Sequence, residues 1–201
     1  MPANYTSVAS QLYVWMQHYG SQGEEIEDYL GPVFETIKAA GIDVIEGWLP
    51  WFKTPDGAAR IQARLADYQM QMPAVYHNAP LHDSTAAADS VDAVRDLAQN
   101  ARDAVGCTTI VLNPEPIDWN DPIDKTDAQL ATQAAALNTL GAALHPLGMR
   151  LVVHHHDAEM RNGAHEFYHI LHNTDPGTVG FCLDYDWILR GGQSPMRLLQ
   201  D

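Results

Sequence analysis

The chain has 201 residues, 46% of them hydrophobic, and 11 Lys and Arg against 26 Asp and Glu, for a formal net charge of −15. That apolar content suffices for one buried core of ordinary domain size. The acidic excess, with its few basic residues scattered, argues against a nucleic-acid backbone as partner. No apolar run of roughly 18 residues and no basic segment leading into an apolar one occurs. Neither a membrane partner nor a secretory leader is expected, and the protein is read as cytoplasmic. Cys107 and Cys182 both sit in apolar runs without metal or redox spacing, so buried core thiols are expected rather than a disulfide.

In chain order, apolar runs alternate with longer helical patterns. The first strand is expected at 11–15 (QLYVW). A helix over 24–40 carries Ile26, Leu30, Val33, Phe34 and Ile37, and Gly41 stops it. The second strand is 42–48 (IDVIEGW). Thr54-Pro55, a cap followed by proline in the first turn, opens a helix over 55–69. The third strand is 73–77 (PAVYH), followed by a helix over 84–105. The fourth strand, 107–113 (CTTIVLN), runs into the Pro- and Asp-rich loop NPEPIDWNDPID. A helix over 126–145 ends before Pro146 and Gly148. The fifth strand is 150–154 (RLVVH), then a helix over 163–172, then the sixth strand at 179–184 (VGFCLD). Repeats of about 30 residues are the size of βα units. They predict an α/β fold with a parallel sheet and right-handed crossovers, in one domain over 1–201. No GxGxxG follows the first strand. Polar residues follow nearly every strand instead, the layout of a (β/α) TIM-type barrel gathering side chains at its C-terminal mouth. After the sixth strand the chain stops at Asp201, so about six of eight βα units are expected, a barrel truncated at its C-terminal end.

The stretch LVVHHHDAE, 151–159, carries the chemistry. Three imidazoles and two carboxylates where a strand leaves its sheet are costly in a core and natural for a metal site. Strand alternation places His154 and His156 on one face and His155 on the other. Glu159 reads equally as a ligand, as an orienter of a histidine, or as a helix-start carboxylate. Asp184 follows Phe181-Cys182-Leu183, where a carboxylate needs a partner or a metal; Asp186 reads as a solvated loop residue. Glu46, His77, Asn113 and Glu115 end the second, third and fourth strands. Each reads as a substrate-shell residue or as an ordinary strand-end polar group, and Trp187 as a pocket wall or a packing residue. HEFYH, 165–169, fits HExxH, a zinc-hydrolase pattern built on the His165/His169 pair, but its position on an outer helix with no third ligand signal counts against that reading.

Taken in order, AAGIDVIEGW (39–48), VLNPEPI (111–117), LVVHHHDAE (151–159) and TDPGTVGFCLDYDWILRGGQSP (174–195) resemble the sugar phosphate isomerase/epimerase family, the xylose-isomerase-like TIM barrels. The resemblance implies a divalent metal ion (Mn, Mg, Co or Zn) at the barrel mouth, with His154 in the fifth-strand ligand position and Asp184 in the sixth-strand one. Many epimerases carry a histidine three residues after that aspartate; here it is Trp187. The activity implied is a metal-dependent isomerase, epimerase or dehydratase. It would act on a small-molecule sugar or related polyhydroxy carbonyl compound by enediolate-type proton transfer. Glu159 and His156 are then the candidate catalytic groups, and Glu46, His77, Asn113, Glu115 and Trp187 the candidate substrate shell. The competing expectation is a catalytically inactive barrel fragment that binds metal weakly or self-associates as a homo-oligomer through an open sheet edge.

Overall fold

The computed structural model describes residues 8–201. The elements in chain order are β1 (Ser10–Gln11), α1 (Tyr13–Gly20), α2 (Leu30–Ala39), β2 (Val44–Trp48), α3 (Pro55–Tyr68), β3 (Gln71–Ala79) and α4 (Ala87–Val105). They continue with β4 (Thr109–Pro114), α5 (Asp127–Leu144), β5 (Arg150–His154), α6 (Asp157–Asn173), β6 (Val179–Cys182), α7 (Tyr185–Arg190) and α8 (Pro195–Leu198). The strands form a six-stranded sheet in the order β1-β2-β3-β4-β5-β6. Neighbours pair in parallel, for example Ile110 with Leu151 and His154 with Cys182. This is the α/β, TIM-barrel-type arrangement that the unit spacing predicts.

Two compact units divide the chain. One holds the residues up to Tyr76 together with Gln99–Thr108, and the other holds His77–Ala98 and Thr109–Asp201. In the first, Leu30, Val33, Phe34 and Ile37 of α2 are buried, as are Ile45 of β2 and Ile61 and Leu65 of α3. These are the apolar positions of the helical and strand periods. Thr54 caps α3 by accepting the Gly57 N–H at 3.1 Å. Gly47 lies where a Cβ would collide with the Met72 side chain and press on Trp51, so any other residue there would require Met72 to move.

The expected strand at 11–15 is a correction. Only Ser10 and Gln11 pair with the sheet, opposite Ile45 and Glu46. Tyr13 onward is helical, and α1 buries none of its residues. The four apolar residues of that stretch, Leu12–Trp15, are compatible with either period, and Tyr13 and Val14 end up exposed.

In the second unit β4, β5 and β6 are adjacent strands. Leu112, Leu151 and Val153 are buried on them, with Leu130, Leu137, Leu140 and Leu144 of α5. Thr126 and Gln129 close a reciprocal capping box at the start of α5. A second cluster holds Met160, Ala164, Phe167, Ile188 and Leu198, with Phe181 and Leu183 packed on it. The α6 helix is broken. Arg161 is extended, and Asn162, Gly163 and Ala164 all have positive φ. One turn, Asp157–Met160, is thereby separated from the continuous helix that follows. Neither cysteine is in a disulfide; Cys107 is buried, as expected, and Cys182 is only half-buried, because β6 is partly exposed. No helix among the described residues is long and apolar enough to cross a membrane.

Candidate active site at the ends of β4, β5 and β6

Three consecutive strands of the second unit deliver their polar residues at the same, C-terminal, end. Asn113, on β4, is fully buried. Its side-chain N–H group donates to the His154 carbonyl at 3.2 Å and to Glu159 Oε1 at 3.3 Å, while its own Oδ1 is buried without a partner. The other Glu159 oxygen accepts the His156 N–H at 2.8 Å. Glu159 therefore fills one of its expected roles, that of a helix-start carboxylate capping the first turn of α6, and it also ties that turn to β4. Its side chain is buried yet borders a cavity of about 130 Å³, shared with Pro116, Trp119, His156 and Arg161. Burial first, then the Glu166 carboxylate, pushes the Glu159 carboxyl up to about 7, against the pull of the Lys125 ammonium and the His156 N–H.

The three imidazoles cluster, because β5 ends at His154 and strand alternation stops there. The His154 and His156 rings meet edge to face with centroids 4.8 Å apart, and the His154 and His155 rings stack at 5.8 Å. His155 is also edge-on to Phe167. Burial lowers all three, His154 to about 3 and His155 to about 4, so His154 and His155 are neutral near pH 7. Neutral imidazole is the form that accepts a proton or ligates a metal. His156 lies between two indoles, 5.4 Å from Trp119 and 4.9 Å from Trp187, both edge-to-face.

Asp184 has a structural duty. It caps α7, its Oδ1 accepting the N–H groups of Asp186 at 2.9 Å and Trp187 at 3.2 Å. Its own N–H donates to His155 Nε2 at 3.2 Å. That bond fixes the neutral tautomer with the hydrogen on Nδ1, which is buried without a partner. His155 is thus joined to Asp184. Among the described residues no three His, Cys, Asp or Glu side chains come together as a metal-ligand set.

The remaining candidates divide. Glu115 is half-buried and its N–H donates to the Ala79 carbonyl, linking the ends of β4 and β3. Burial raises its carboxyl, partly offset by Lys125. His77 is lowered by burial. Glu46 belongs to the first unit, where it accepts from Gln11 Nε2 at 3.1 Å; burial raises it despite that bond. The zinc-hydrolase pattern dissolves. Glu166 is engaged by Lys125 Nζ at 2.6 Å, and His165 is exposed beside Asp127 at 3.3 Å.

Three residues of this region carry no assignment from the sequence. Alternation would turn His155 away, and yet it touches Asp184. Trp119 is an aromatic in a polar strand-end loop, a signal visible in NPEPIDWNDPID. Lys125, a lone lysine at the end of that loop, is buried with its ammonium on Gln133 Oε1 at 2.7 Å and Glu166; nothing in its local sequence distinguishes it from a solvated lysine.

Parallel strands with their chemistry at the C-terminal ends define the class of the fold. The sequence pattern of the xylose isomerase-like TIM barrel matches residues 34–198, and the chain belongs to that family. Among solved structures, a sugar phosphate isomerase/epimerase from Parabacteroides distasonis aligns over 100% of this chain and 76% of its own, at 16% identity and a TM-score of 0.68. A xylose isomerase-like TIM barrel protein from Mycobacterium smegmatis, in complex with magnesium, aligns over 99% and 71%, at 13% identity and a TM-score of 0.70. The probable 3-DHS dehydratase AsbF from Bacillus anthracis aligns over 97% and 69%, at 13% identity and a TM-score of 0.68. At these identities the likeness is one of fold. No curated protein matches the sequence.

Proposed function

We propose that the chain is a divalent-metal-dependent isomerase, epimerase or dehydratase acting on a sugar or related polyhydroxy carbonyl compound, with Glu159 as the proton-transfer group. The observation that carries this reading is Glu159 itself. It is a carboxyl group bordering a cavity, held from two sides by Asn113 and the His156 N–H, with its affinity for protons raised to about 7. A group so poised takes a carbon-bound proton next to a carbonyl and returns it without a large penalty in either direction. Asn113 fixes the Glu159 carboxylate plane. The neutral His156 lies beside it as an acceptor or relay for a hydroxyl proton, and Trp119 and Trp187 give apolar faces for the carbon side of a sugar ring. His154 and Asp184 are the side chains of suitable donor type for a divalent ion, a neutral imidazole and a carboxylate, and this assignment follows the family resemblance. A bound ion would polarise the substrate carbonyl. Magnesium in the Mycobacterium smegmatis structure and the names of the Parabacteroides and Bacillus proteins support the reading.

The test is solvent exchange. The protein is incubated in deuterated water with Mg²⁺ or Mn²⁺ and a panel of aldoses, ketoses and hydroxy-keto acids. Deuterium at a carbon next to the carbonyl is followed by NMR. Incorporation that Glu159→Gln abolishes supports the proposal. Incorporation undiminished in that variant removes Glu159 from the chemistry, and no incorporation with any substrate favours the inactive-fragment reading.

A further inference from the structure

The second unit also holds a buried ion pair that the proposed chemistry does not use, one partner in the loop after β4 and the other on α6, the helix that carries Glu159. Lys125, in the loop after β4, has a side chain only 2% exposed, and Glu166, on α6, one 11% exposed, with 2.6 Å between Nζ and Oε1. Gln133 of α5 joins both, accepting from Lys125 at 2.7 Å and donating to Glu166 Oε1 at 2.9 Å. Lys125 also reaches the Pro114 carbonyl at 3.4 Å, next in the chain to Asn113. A buried ion pair is seldom a net source of stability, because desolvating both charges offsets their attraction. Its presence next to a buried acid calls for another use.

We propose that Lys125 and Glu166 are a positioning pair for Glu159, setting the charge state of its carboxyl through opposed electrostatic fields. This rests on the reading of Glu159 as the proton-transfer group. The two charges act on Glu159 with opposite sign: Glu166 disfavours its ionised form and Lys125 favours it. The other groups facing it are accounted for. From β4 Asn113 donates to it, and from the end of β5 the His156 N–H donates to it. Asp118, Asp157 and Arg161 share its cavity. His82 and Glu115, from the loops after β3 and β4, lie within reach of the Lys125 charge, and His82 also of Glu166. Lys125 and Glu166 act on Glu159 from side chains only 2% and 11% exposed, where charge is little screened. Holding the two together keeps Glu159 between full ionisation and full protonation.

The experiment follows the side-chain carboxyl carbon of Glu159 by ¹³C NMR across pH in the full chain, with the signal assigned by its loss in Glu159→Gln. No substrate is needed. Glu166→Gln should move the midpoint down, and Lys125→Met up, each by about one pH unit. Lys125→Arg should restore it. A role confined to packing predicts no such opposition. Midpoints moving in the same direction, or not moving, overturn the proposal. Should Lys125→Met fail to fold because Glu166 is stranded, Glu166→Gln alone and the neutral double variant Lys125→Met/Glu166→Gln decide. The double variant must titrate above Glu166→Gln, and any other order refutes the pair. Opposed shifts combined with undiminished deuterium exchange in Glu159→Gln would uphold the pair's control of Glu159 and overturn only the catalytic assignment.

Discussion

Replacing Asn113 by Asp tests the site most sharply, because it changes one amide to a carboxyl without changing its shape. Asn113 is fully buried, and its side chain donates to the His154 carbonyl and to Glu159. At about pH 5 Glu159 is protonated and can donate to the new carboxylate. The loss is then confined to the bond to the His154 carbonyl, about 1 kcal/mol. As pH rises through 7 both groups seek to ionise 3.3 Å apart. At an effective dielectric of about 20 that repulsion is about 5 kcal/mol, unless one carboxyl keeps its proton at comparable cost. The sign follows from linkage. The folded pair binds protons more tightly than the unfolded chain, so its stability is intact below the ordinary carboxylate range and is lost as pH rises through the folded values. The expected destabilisation relative to the parent chain is about 1 kcal/mol near pH 5 and about 6 kcal/mol near pH 8. Urea unfolding followed by circular dichroism at the two pH values measures it. An equal loss at both would mean that Asn113 and Glu159 are not in contact.

Leu112→Ala, in the middle of the buried face of β4, should cost about 2–5 kcal/mol in the same assay; a loss below 1 would place Leu112 outside the core. Thr126→Ala removes the cap that accepts the Gln129 N–H at 3.3 Å and should lower stability by about 1 kcal/mol, with Thr126→Ser recovering most of it. Arg161→Ala breaks a half-exposed pair with Asp124. Stability should change by less than about 1 kcal/mol, while limited proteolysis within 115–124 should speed up. An unchanged cleavage rate would show that Arg161 does not tether that loop.

The helices and the later strands were legible because their apolar residues fall on the right period: α5 buries the four leucines of its stripe, and β5 has the bounds read from RLVVH. The failure at QLYVW has a physical cause. Four apolar residues fix no period, and the deciding factor, a partner strand, lies only opposite Ser10 and Gln11. In the site, HHHDAE marked the region through the sheer cost of burying those groups. The sequence left open what Glu159 does, because its capping bond belongs to a first turn, Asp157–Met160, that the break at Arg161–Ala164 cuts off from the helix legible in the sequence. Lys125 was illegible for a related reason. A lysine is buried by residues that reach it across the fold, here Gln133 and Glu166, and by nothing in its own loop. The HEFYH pattern misled in the same way, since spacing along a helix says nothing about a cation arriving from another loop.

The order of β4, β5 and β6 in the sheet is also their order in the chain. During synthesis each of these strands therefore emerges when the edge that it must join is already in place, and no strand has to be inserted between two earlier ones. Growth by addition at an edge keeps the sequence separation of new contacts short, which favours fast folding. It also means that the polar mouth is assembled stepwise, Asn113 first, then His154–Glu159, then Asp184. A ribosome-stalled chain whose α6 has cleared the exit tunnel would already contain the Asn113–Glu159 contact.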